Sequence, residues 1–73
     1  MTQHERILDY INTWGSITQR EAVVELGINY LTTRISEMRM DGIKIKGEWE
    51  VSKNRYGEPV RYIRYSMEEK DGR

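Results

Sequence analysis

Lys53, Asn54, Arg55 and Tyr56 put two cations, a carboxamide and a phenol into one short polar stretch, SKNRYGEPVRY. Cations so placed neutralise phosphates or enter a minor groove, and the tyrosine ring can pack on a sugar. A second set, Asn29, Tyr30, Thr32, Thr33, Arg34, Ser36 and Glu37, gathers short hydroxyl and amide groups around an arginine. Short polar side chains can approach base edges in a major groove while cations beside them meet phosphates. Glu37 works against a close fit, because a carboxylate near phosphates repels. It must meet a cytosine amino group, point away, or pair with Arg34 or another nearby cation. The remaining reactive groups are isolated. His4 is the lone histidine, and Glu48 and Glu50 are a carboxylate pair without a nucleophile, an oriented base or a Gly-rich phosphate loop. No catalytic residue, metal ligand or cofactor site is expected, and an enzyme is not the reading.

Elements that could position the two sets follow from periodicity. TQHERILDYINTWG reads as a helix opened by a Thr2/Glu5 capping box, with Ile7, Leu8, Ile11 and Trp14 as its apolar stripe and Gly15 as its stop. Ile17 is expected as a plug making no more than one ladder contact. Thr18 and Glu21 repeat the capping box, Ala22, Val23 and Leu26 supply a buried face, and Gly27 closes the second helix. A turn of a few residues leads to NYLTTRISEMRMDG, in which Asn29 is expected to cap, Leu31, Ile35 and Met38 to face the core, and Gly42 to terminate. Two short helices joined by a Gly-containing turn have the shape of a helix-turn-helix. The polar set at 29–41 then lies on the outward face of the third helix, whose free N-terminal amides also favour a phosphate.

From Ile43 the period changes to two, which predicts a strand with Ile43, Ile45, Trp49 and Val51 on one face and a bulge at Gly47. A second strand, VRYIRYSM, is expected to turn Ile63, Tyr65 and Met67 inward, since the other choice buries Arg64. The fold class is α+β: three helices and then a two-stranded hairpin, a winged-helix layout over residues 1–67. The charged residues 68–73 are expected to form a frayed tail.

Composition bounds the rest. A 73-residue chain buries only about 60% of its unfolded surface, enough for one modest core. No apolar run approaches the ~18 residues of a membrane span. The opening MTQHERILDYI lacks the basic-then-apolar layout of a secretory signal, and there is no Cys; a cytoplasmic location and no membrane partner are expected. Twelve basic and twelve acidic residues cancel. Residues 31–65 nevertheless carry eight Lys/Arg against five acids, a net of +3, and the remainder carries −3.

The ordered set GSITQREA, the Leu26-Gly27-Ile28 turn, L..RISEMR and NRYG…VR…RY resembles the small winged helix-turn-helix domains of bacteria, phages and prophages. That resemblance implies DNA binding, with the third helix (29–41) as reader and residues 53–57 as the wing, and Arg34 falls at a position typical of the family. Two functions are therefore expected to compete. One is a double-stranded-DNA-binding phage or prophage transcriptional regulator or accessory factor, acting as a homodimer, as a multimer or on tandem sites. The other is a winged helix used as a protein-interaction module, favoured by the zero net charge, Glu37 and exposed Tyr30, Met40, Tyr56 and Tyr62.

Overall fold

Reciprocal bonds start the first two helices where the capping boxes place them. In the computed structural model, which describes residues 1–68, Thr2 Oγ1 accepts from Glu5 N at 3.1 Å and Glu5 Oε1 from Thr2 N at 2.7 Å. Helix α1, Gln3–Trp14, ends where Gly15 turns left-handed and donates to Ile11 O. Thr18 and Glu21 make the same pair of bonds, at 3.2 and 3.0 Å, and open α2, Gln19–Glu21. This helix continues as a π-helical segment, Ala22–Leu26. Gly27, at φ 69°, stops it in a conformation an L side chain resists.

Helix α3, Leu31–Met40, begins two residues later than the sequence suggests, and Asn29 does not cap it. Tyr30 holds the N-cap position with no side-chain bond. The capping comes from twelve residues upstream: Gln19 Oε1 accepts from Leu31 N at 3.2 Å while its Nε2 donates to Asn29 O at 2.9 Å. One carboxamide thus ties the first turn of α2 to the first turn of α3.

Three antiparallel strands complete the fold: β1, Ile17–Thr18; β2, Ile45–Lys53; and β3, Pro59–Met67, in the order β1-β3-β2. The short β1 makes two ladder pairs rather than one, Ile17 with Tyr65 and Thr18 with Arg64. The β2–β3 register runs unbroken from Ile45↔Met67 to Lys53↔Pro59, so Gly47 marks no bulge. Gly47 sits opposite Tyr65, and a Cβ there would lie 2.9 Å from Ile63 Cγ2 and 3.3 Å from the Tyr65 ring. The missing side chain makes room for the aromatic ring.

Ile7, Ile11, Ile17, Ala22, Ile28, Leu31, Ile35, Met38, Ile45 and Tyr65 form the core. Burying an aliphatic side chain of this size stabilises by about 1.5–3 kcal/mol, which makes six isoleucines the main cohesive force. Ile63, Tyr65 and Met67 do turn inward, Tyr65 fully and the others partly.

Four expected core residues lie elsewhere. Trp14 is 72% exposed, at the last turn of α1, with its ring 6.3 Å from that of Tyr10. Val23 is exposed because the π-helical widening changes the turn per residue that a 3.6-residue wheel assumes. Trp49 and Val51, 62% and 66% exposed, share the face of buried Ile45, but the hairpin outruns the helices. Glu68 N donates to Lys44 O at 3.1 Å, and the rest of the expected tail, 69–73, lies outside the described residues.

Candidate nucleic-acid interface

Burial of Leu31, Ile35 and Met38 fixes the rotation of α3 and leaves Thr33, Ser36 and Met40 exposed on its outer side. Each flank is held by a different neighbour. Toward the sheet, the Thr32 hydroxyl lies 3.4 Å from the Tyr65 hydroxyl, Arg39 Nε donates to Ile45 O at 3.0 Å, and the Arg39 guanidinium lies 5.8 Å from the Tyr65 ring centroid. Toward α1, Glu37 is clamped between His4 Nε2 at 2.8 Å and the Arg34 guanidinium at 3.1 Å. Pairing with Arg34 was one of the placements the sequence left open for this carboxylate. His4 has no isolated role, because it closes the cluster across 33 residues. Arg34 Nε is buried without a partner. Of the α3 set, Thr33 and Ser36 have free side chains on the outer face, Thr32 borders the sheet, and Arg34 and Glu37 neutralise each other at the α1 edge. Asn29 and Tyr30 are exposed in the turn before α3 rather than in it.

At the hairpin tip the four predicted residues divide by job. Asn54 Oδ1 accepts from Tyr56 N at 2.9 Å and Glu58 N at 3.1 Å, while its Nδ2 donates to Glu58 Oε1 at 3.1 Å. Gly57 N donates to Asn54 O at 3.0 Å. The Asn54 amide therefore shapes the loop and has little left for a ligand. Lys53, Arg55 and Tyr56 are exposed there, and no described acid pairs with either cation.

Alternation gives the hairpin two unlike faces. On the outer one, Arg64 Nε donates to Glu50 Oε1 at 3.0 Å, Arg64 also lies 3.7 Å from Glu21 Oε2, and its terminal nitrogen donates to Ser16 Oγ at 3.1 Å. The bond from Arg64, then one from Tyr62, holds the Glu50 carboxyl below the usual carboxylate range. On the inner face, continuous with Tyr65, the Arg61 guanidinium stacks on Trp49 with 4.8 Å to the ring centroid. Neither residue belonged to the predicted site. Alternation alone placed Trp49 with Ile45, and Arg61 with Tyr65, on matching faces. Their meeting depends on strand register, which the loop sets.

A family model described as a winged helix-turn-helix domain matches residues 2–70. The chain belongs to that family. No curated protein and no solved structure matches it. In this winged helix-turn-helix domain, α2 and α3 are the paired helices, Gln19 fastens their first turns together, and β2–β3 is the wing, with β1 adding a third strand at its base. Helix-turn-helix membership points to DNA as the partner. Among the described residues, no helix is long and apolar enough to cross a membrane, and no group of three or more acidic or histidine side chains could hold a metal ion.

Proposed function

We propose that this winged helix-turn-helix domain is a non-enzymatic double-stranded-DNA-binding protein of the cell interior, acting in a bacterium or phage-infected host as a transcriptional regulator or accessory DNA-binding factor. Helix α3 enters the major groove with Thr33 and Ser36 toward base edges. Lys53, Arg55 and Tyr56 meet the backbone or the adjoining minor groove. A single small domain reads few base pairs, so sequence-specific action calls for two copies on neighbouring half-sites.

The observation that carries this reading is the outer surface of α3. It is polar and unencumbered at Thr33 and Ser36, and the one carboxylate nearby is tied to Arg34 and His4. A groove helix needs short polar groups forward and its acids neutralised.

The test is retention of random-sequence duplex DNA across a salt series, followed by sequencing of the retained fraction. Each phosphate contact contributes about 0.9 to the slope of log affinity against log salt. Lys53→Ala with Arg55→Ala is expected to weaken binding to all sequences alike and flatten the slope by about 1.8. Thr33→Ala is expected to blur the retained consensus instead. The competing reading, a protein-interaction module, draws on exposed Trp14, Val24, Tyr30 and Tyr56. It prevails if no duplex is retained at the lowest salt.

A further inference from the structure

The wing is electrostatically two-sided. Pairing of Trp49 with Ile63 and of Val51 with Arg61 sets Trp49, Lys53, Arg61 and Tyr65 on one face. That inner face has two cations, Lys53 and Arg61, and no acid along either strand. The outer face holds both strand carboxylates, Glu48 and Glu50, with Lys46 and Arg64. The acid-free face is the one turned toward α3, since Tyr65 on it touches Thr32 and lies beneath Arg39.

Distance places the Arg61–Trp49 pair relative to a duplex. A strand rises about 3.3 Å per residue, so Arg61 stands about 13 Å along β3 from Tyr65. The major groove is about 12 Å wide. With α3 in the groove, a group that far out from the helix-to-sheet contact reaches the sugar-phosphate strand bordering it. Stacking on an indole suits the guanidinium to that place. It fixes the plane of the donors before any ligand arrives, and leaves their edge open to a phosphate. No described carboxylate competes for Arg61. Trp49, 62% exposed, supplies an apolar surface for the sugar.

We propose that the inner face of the wing, centred on Arg61 stacked on Trp49, is a contact surface for the sugar-phosphate backbone of duplex DNA, separate from the loop at its tip. The proposal rests on the DNA-binding reading above. Under it the wing grips along its length, and the tip residues reach one groove further on.

The experiment uses the full chain and a fluorescein-labelled mixed-sequence 30-base-pair duplex. It compares Arg61→Ala with Lys46→Ala, which removes the same charge from the opposite face. Circular dichroism melts establish that both variants fold. A charge-assisted hydrogen bond lost at Arg61 is expected to weaken binding about tenfold at 50 mM salt. The salt slope is expected to fall by about 0.9, and Lys46→Ala to stay within about twofold of the parent. Equal weakening by the two variants overturns the proposal, because the duplex would then sense net charge alone. A second readout avoids substituting the pair. Trp14→Phe leaves Trp49 as the sole tryptophan of the two in the chain, and its emission is expected to change as the duplex saturates the protein. Unchanged emission at saturation also overturns the proposal. If binding falls in Arg55→Ala but not in Arg61→Ala, the inner face is refuted and the DNA-binding reading stands. If the parent chain retains no duplex, the reading itself fails.

Discussion

Replacing Gln19 by alanine removes both bonds that fasten α2 to α3, from Leu31 N at 3.2 Å and to Asn29 O at 2.9 Å. The side chain acts as an N-cap supplied from another helix, and loss of a local N-cap costs about 0.5–2 kcal/mol. The Asn29 carbonyl is exposed and can turn to water, so it adds little. Leu31 N sits beside a buried side chain and loses more. The expected cost is therefore about 1 kcal/mol, near the middle of that range. In a domain of this length, 1 kcal/mol lowers the melting temperature by about 4–8 °C. Gln19→Glu keeps an acceptor for Leu31 N but places a carboxylate against the Asn29 carbonyl, and is expected to fall between parent and alanine variant. Thermal melts by circular dichroism give the stability. Hydrogen exchange resolved at the Leu31 amide gives the location. Unchanged melting together with unchanged Leu31 protection would show that Gln19 is an ordinary surface residue and that the turn is held by packing alone.

Other outcomes follow from the hairpin. Gly47→Ala drives a methyl into Ile63 Cγ2 at 2.9 Å and the Tyr65 ring at 3.3 Å; the branched Ile63 yields poorly, and urea melts are expected to show a loss of about 1–2 kcal/mol despite the reduced backbone freedom of alanine. An equally stable variant would mean the ring has slack. The Glu50 carboxyl is depressed first by its bond from Arg64. Its contribution to stability is thus complete above the ordinary carboxylate range and is lost as pH falls through and below that range. Glu50→Gln is expected to flatten the acid limb of a melting-temperature profile, and superimposable profiles for the two proteins would remove the pair from the stability balance. Tyr65→Phe deletes only a long 3.4 Å contact to Thr32, and is expected to shift stability by less than about 0.5 kcal/mol in the same melts.

Features decided within a few residues were legible in the sequence. Both capping boxes, the helix stops at Gly15 and Gly27, the Leu31/Ile35/Met38 stripe and the inward set of β3 are where periodicity and cap chemistry put them. Features decided by distant residues were not. Asn29 has the right chemistry for a cap, but Gln19 occupies the site from across the turn. Two-residue alternation identified the face of Trp49 and Val51 correctly but cannot say where along a strand the core ends. The site follows the same division. Lys53, Arg55, Thr33 and Ser36 stand free as their residue types suggest, whereas Asn54 is engaged by its own loop. The sequence allowed Glu37 a cation partner in Arg34; that His4 would be the second required the packing of α1 on α3.

Packing on the inner face of the hairpin stops at partly buried Ile63, next to the outer-face anchor of Arg64 to Glu50, Glu21 and Ser16. Beyond that collar the ribbon is a cantilever rooted in a rigid base. Its outer half can be rewritten residue by residue without taxing the hydrophobic interior, and cassettes of altered length or charge can be grafted there to retune what the domain grips.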